Sequence, residues 1–264
     1  MVPAKPSVAF VALAALLLLG ACNVKPMAKA GGDAGAAEDP GYIAPPMPDG
    51  LHAVGAGWRL LGSAPPEAQV RLATPQGEAL SAVADGQGRW AIALGPSSDA
   101  RIFGLSATIK GRQIQSEGYL VVAPTGEAAV LRAGAGARRI DAGRSAGLRA
   151  IDFDRGGGLQ LTAAGPPGAT LIIRLDGRQV AEGRTDASGH YEVSVPPAGA
   201  QAHISTGAHE AQVFGDGIAD TVSFQVTPAE PLAEGPLRSQ LTPAGPRVDW
   251  MTPGGGVQST ILIH

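Results

Sequence analysis

The chain has 264 residues, a formal net charge of −3 and a charged fraction of 16%, so it offers no basic face for a polyanion and nucleic acid is not an expected partner. Gly 38 and Pro 22, with 4% aromatics, argue against long helices and for many short strands joined by turns. Cys22 is the one cysteine, which excludes an internal disulfide and leaves stability to packing.

Lys5 precedes an apolar run from Val8 to Leu19, long enough for a signal-peptide core and short for a membrane span. The run ends Leu19-Gly20-Ala21-Cys22. A leucine three positions before a cysteine, followed by two small residues, resembles the lipobox of bacterial lipoproteins. The resemblance implies removal of residues 1–21 and a lipid on Cys22 that joins the protein to a membrane. Asn23 in place of aspartate after that cysteine implies, by the enterobacterial rule, delivery to the outer membrane. Residues 22–50 are Ala, Gly, Pro and a few charges, the composition of a disordered tether with a reach of roughly 30 Å.

The clearest β pattern runs from Gly165 to Val195. Leu171, Ile173 and Leu175 alternate with Thr170, Ile172 and Arg174, the period of a half-buried strand. Asp176-Gly177 suits the positive φ angles of a two-residue hairpin turn, and Asp186-Ala-Ser-Gly189 reverses the chain again. Tyr191, Val193 and Val195 then share one face of the next strand.

The same plan occurs upstream at an offset of 101. Pro65-Pro66 falls on Pro166-Pro167, Asp85 on Asp186, Gly88 on Gly189 and Trp90 on Tyr191. Val70 and Leu72 take the places of Leu171 and Ile173, so the apolar faces match as well. Further strands are expected over 100–109 and 113–123, with a reversal near Pro124-Thr-Gly126, and in the second module over 202–206, 211–214 and 221–227. Residues 133–150, rich in Gly, Ala and Arg, read as a linker. A shorter recurrence relates 151–162 to 248–260, and makes 257–263 a strand that must pair with a sheet already built, since an unpaired apolar strand invites aggregation.

The Pro167-Gly168-Ala169 entry, strand, Asp176-Gly177 turn, strand, then Asp186-x-x-Gly189 and an aromatic, resembles bacterial immunoglobulin-like domains of cell-envelope proteins. Module one departs in having Glu67 for Gly168 and Pro75-Gln76-Gly77 for the Asp-Gly turn. The resemblance implies an all-β chain of two tandem Ig-like antiparallel β-sandwich modules, 51–132 and 151–264, after the signal peptide and tether. It implies spacer, adhesive or docking roles and carries no catalytic residues.

Candidate chemistry is sparse. Gly143-Arg-Ser-Ala-Gly147 fits the nucleophile-elbow spacing, but Ser145 lacks the apolar strand before it and the helix after it that the elbow needs. His52, His190, His203, His209 and His264 form no tight ligand pair. Calcium oxygens could come from Asp152 with Asp154, Asp216 with Asp220, and the turn residues Asp85 and Asp186, although aspartate beside glycine usually caps a turn. Of Trp58, Trp90 and Trp250, the alternation places Trp90 in the core, while Trp250 beside Gly254 to Gly256 is the candidate sugar-stacking residue. The expectation is a non-catalytic, lipid-anchored envelope protein with no cofactor or metal, meeting an envelope protein through exposed sheet edges. The alternatives are a peptidoglycan or other glycan binder using Trp250, and a serine hydrolase using Ser145.

Overall fold

The computed structural model describes Met1, residues 42–195 and residues 204–264. The leader, the lipobox with Cys22, most of the tether and His203 lie outside the described residues. Every regular element among the described residues is a β-strand.

The first module has one sheet of β1 (Met47–Val54), β2 (Gly57–Ser63) and β5 (Arg89–Leu94), in the order β1-β2-β5. Facing it are β3 (Gln69–Ala73), β4 (Ala79–Val83), β6 (Arg101–Ile109) and β7 (Arg112–Gln115), with β3 between β4 and β6 and with β7 on β6. This sheet continues from β6 through β8 (Tyr119–Val122), β9 (Ala128–Leu131) and the short β10 (Arg138–Arg139). The second module repeats the scheme with β11 (Gly147–Asp154), β12 (Leu159–Ala164) and β15 (His190–Ser194) against β13 (Thr170–Leu175), β14 (Arg178–Arg184), β16 (Gly207–Gly215) and β17 (Ile218–Val226). The chain ends in β18 (Leu237–Thr242), β19 (Gly245–Met251) and β20 (Val257–Leu262), which extend the β11 sheet in the order β15-β12-β11-β20-β19-β18. Three strands against four, with the β3–β4 hairpin in the sheet opposite β2 and β5 and its counterpart β13–β14 opposite β12 and β15, is the Greek-key order of Ig-like sandwiches.

The repeat holds down to single hydrogen bonds. Ala68 N donates to Pro65 O and Ala84 N to Ala68 O, as Ala169 N does to Pro166 O and Thr185 N to Ala169 O. Val70 lies opposite Ala82, and its counterpart Leu171 opposite Gly183. The register therefore survives the different turn chemistry. Asp176 and Gly177, at φ 50 and 76, form the expected two-residue turn between Leu175 and Arg178, whereas module one closes over the longer Thr74–Glu78 loop, where Thr74 N meets Glu78 O at 2.8 Å. Glu67 takes the left-handed conformation, φ 63, that Gly168 takes at 76.

Several boundaries differ from the expectation, the strand foreseen over 202–206 among them, since 204–206 are not strand and β16 starts at Gly207. The tether ends earlier than residue 50, because Met47 already pairs with Ser63 and Pro46, Pro48 and Gly50 are buried; proline and glycine hid an edge strand of unusual composition. Residues 133–150 are not a free linker. They carry β10 and the start of β11, and bury Ala137, Arg139, Ile140 and Leu148. The expected strand over 113–123 is interrupted at Ser116–Gly118, with β7 and β8 lying against successive parts of β6; Gly118, at φ 76, lies in this break.

Three cores result. One lies inside module one around Leu60, Leu72, Trp90 and Phe103, and another inside module two around Ile151, Leu171, Ile173 and Phe224. The third joins Ile102, Val121, Ala129, Leu131 and Ala137 to Ala150, Val248, Trp250 and Leu262. Strands β8 and β9 are a shared wall, since Leu120, Val122, Ala128 and Val130 face the first core while Val121, Ala129 and Leu131 face the third. The molecule is thus a stack of sheets with a core in each gap.

Candidate functional site

The junction between the modules collects most of the buried polar side chains. On the junction-facing side of the β11 sheet, Asp152 is buried and its carboxylate accepts from Ala137 N at 2.9 Å, Thr260 Oγ1 at 2.5 Å and Gln258 Nε2 at 3.3 Å. Trp250 Nε1 donates to Thr260 Oγ1 at 3.1 Å. Burial pushes the Asp152 carboxyl up to about 6, against the pull of the Thr260, Ala137 and Gln258 donors. Arg132, a cation that pulls weakly in the same direction as those donors, is held by Glu192 and by Ala135 O at 3.0 Å. Gln160 Oε1 and Thr162 Oγ1, on the neighbouring strand, are buried with no protein partner.

Two arginine hubs tie the surrounding segments together, Arg139 beside the junction and Arg247 on the module-two face of the same sheet. Arg139 forms a bidentate pair with Asp141 (Nε to Oδ1 2.6 Å, Nη2 to Oδ2 2.7 Å), while its Nη1 donates to Arg149 O and Ile263 O. Arg247 donates to Asp249 at 2.8 Å, to Thr227 O and to Ser259 Oγ, and lies over the Phe153 ring. Burial raises both aspartates, but the arginine hydrogen bonds outweigh it and hold Asp141 and Asp249 below the usual carboxylate range. Each hub stitches segments distant in sequence, which no local motif advertises.

Clefts open at the junction, among them two of similar size. One, of about 430 Å³, is largely apolar and is lined by Phe103, Tyr119, Pro236, Met251 and Pro253. The other, of about 390 Å³, includes Trp58, Glu127, Asp141, His52 and His264 in its walls.

The sequence candidates fare unevenly. Trp250 is wholly buried in the third core, edge-on to Tyr119 at 6.2 Å between centroids, so it has no face to offer a sugar; the adjoining glycines suggested exposure, and the junction core covers it. Trp90 is in the core, as expected. Ser145 is exposed and leads into strand β11, with no helix behind it, so the elbow geometry is not formed. The aspartates do not converge. Asp85 accepts from Gln87 N and Arg89 N, and Asp186 from Ser188 N and His190 N, all as turn caps. Asp220 accepts from Leu148 N and Arg144, and Asp216 from Thr170 N. Among the described residues no group of three or more His, Cys, Asp or Glu is placed to hold a metal ion. His209 pairs with Asp176 at 2.8 Å instead of a ligand. Sequence reasoning missed Asp152 as a buried acid and Trp58 as the cleft residue. The alternation of Trp58 with Leu60 was the available signal.

No family model and no curated protein matches the chain. Among solved structures, the BSP domain of a biofilm-associated protein is 13% identical over 72% of this chain, at a TM-score of 0.24, and this chain spans 30% of it. A central fibronectin-III array of RIM-binding protein is 12% identical over 84% of this chain and 89% of that one, at 0.25. A bacterial ice-binding adhesin is 12% identical over 79% and 80%, at 0.22. The superpositions are too loose to carry an argument, and the fold assignment rests on the strand order above.

Proposed function

We propose that this protein is a non-catalytic interaction module of the bacterial cell envelope, held to the outer membrane by a lipid on Cys22 and docking a protein partner by strand addition. The observation that supports docking is β18. It borders the sheet that runs through the junction, its residues Arg238 to Leu241 are exposed, and Leu241 leaves 72% of its surface open. An uncovered strand edge offers a row of backbone donors and acceptors to an extended partner. The terminal strand β20 does not serve this role, because β11 and β19 occupy its two sides. The third core supports the reading mechanically, since the edge is mounted on a body without a loose hinge between its modules.

Two experiments test it. Cys22→Ser is expected to move the protein from the membrane fraction to the soluble fraction, and membrane retention with normal processing would remove the lipid anchor. A photo-crosslinker at Ser239 is expected to trap one dominant protein in cells. With the crosslinker kept at Ser239, proline at Gln240 and at Leu241 in turn should leave the adduct in one case and abolish it in the other, because alternate residues point their N–H groups outward. An adduct indifferent to both prolines would rule out strand addition at β18.

A further inference from the structure

We infer that the cleft at Trp58 is a binding site for an uncharged saccharide, a ligand class that deepens the envelope-interaction reading by giving the module a second, non-protein contact. Trp58 is the second residue of β2 and lies between Ala53 and Leu94 in the sheet. Its indole packs on the edge of the first core and remains partly exposed in the cleft. The β8–β9 turn presses on the ring through Gly126, at φ 102, where any Cβ would lie 2.1 Å from Cη2. The ring is thus held in place by backbone, which makes it a fixed platform.

The polar groups around it select the ligand. Asp141 is already filled by Arg139, by Ala128 N at 3.0 Å and by Gly143 N at 3.0 Å, so this buried pair is self-neutralised and offers no free guanidinium for phosphate or carboxylate. Glu127 keeps accepting capacity: Thr125 Oγ1 donates to its Oε2, while Oε1 stands 4.0 Å from His264 Nδ1. His52 and His264 are exposed at the rim. A fixed, partly exposed indole with a carboxylate acceptor and two imidazoles beside it matches a ring that is apolar on its C–H face and carries hydroxyls on its edge. The volume of about 390 Å³ falls in the range of small-ligand clefts.

The test uses the purified full-length protein. Trp90 and Trp250 are buried, at 4% and 0%, so a ligand in this cleft reports through Trp58 emission. Titration with cellotetraose and with tetra-N-acetylchitotetraose, up to about 10 mM to include weak binding, is expected to give a saturable emission change and a calorimetric heat with at least one of them. Glu127→Gln should weaken that binding at least about tenfold, equivalent to one decade of Kd, and Trp58→Phe should remove the emission change at an unaltered unfolding temperature. Absence of a saturable response to both sugars overturns the proposal, as does calorimetric binding that both variants retain at wild-type affinity. Either failure leaves the Ser239 adduct untouched, so loss of the saccharide site and loss of the strand-addition reading are told apart.

Discussion

Asp152 is where one side chain governs the response of the fold to pH. An unfolded aspartate loses its proton near pH 3.9, whereas buried Asp152 keeps it to about 6. The native state therefore binds the extra proton between those values, and its contribution to stability is complete below the lower value and lost as pH rises through the upper one. Roughly two units amount to about 3 kcal/mol. Asp141 and Asp249 act with the opposite sign: their depressed values supply stability above the ordinary carboxylate range that disappears on acidification through their folded values. Urea unfolding is expected to give a higher stability at pH 4.5 than at pH 7.5, with Asp152→Asn flattening that difference; equal slopes for wild type and variant would show that Asp152 is ionised throughout. Glu67 gives a second residue-scale prediction. A side chain at φ 63 strains the backbone by about 1–2 kcal/mol, and the equivalent Gly168 has open space around its missing Cβ. Glu67→Gly should stabilise the protein by about 0.5–1 kcal/mol after the entropy of glycine is subtracted, measured as a rise in the urea midpoint at constant slope.

At the scale of elements, β8, β9 and β19 bear the most weight, because each contributes to the core between the modules. Trp250→Ala deletes the largest fully buried side chain and leaves Thr260 without its indole donor. A loss of about 3–5 kcal/mol is expected, read by denaturant unfolding, with saccharide titration at Trp58 unchanged wherever the protein stays folded. Leu241→Ser on β18 provides the contrast: its side chain is mostly in solvent, so the effect should stay within about 0.5 kcal/mol. A destabilisation like that of Trp250→Ala would mean that β18 is covered in solution. The two substitutions separate a strand that holds the body together from one free to receive a partner.

The whole molecule should unfold as one unit. Two sandwiches on a flexible linker would melt independently, but here the wall of one module is also the lining of the core shared with the next, and Arg139 ties the 139–149 segment to Ile263. Calorimetry is expected to show a single transition whose van't Hoff and calorimetric enthalpies agree. Two resolved transitions would show that the third core is too weak to couple the modules.

Much of this architecture was legible in the residues themselves. The alternation of Leu171 and Ile173, the Asp176-Gly177 turn, the paired prolines, the 101-residue repeat and the pairing need of 257–263 are local chemistry, set by backbone conformations that only certain residues tolerate and by one-faced burial with a period of two. What tertiary structure decided lies at the junction. Strands buried on both faces, such as β9 with Ala128 to Leu131, lose the alternation that reveals which way they face. Trp250 stands beside a glycine run that reads as an open loop, and its burial depends on Tyr119 and Leu131, more than a hundred residues away in sequence. Arg139 sits in a segment whose composition reads as a linker, because its partners at Arg149 and Ile263 are carbonyls that any residue supplies. Turns and faces are encoded by neighbours in the chain, whereas a core between modules is encoded by residues that meet only after both modules have folded.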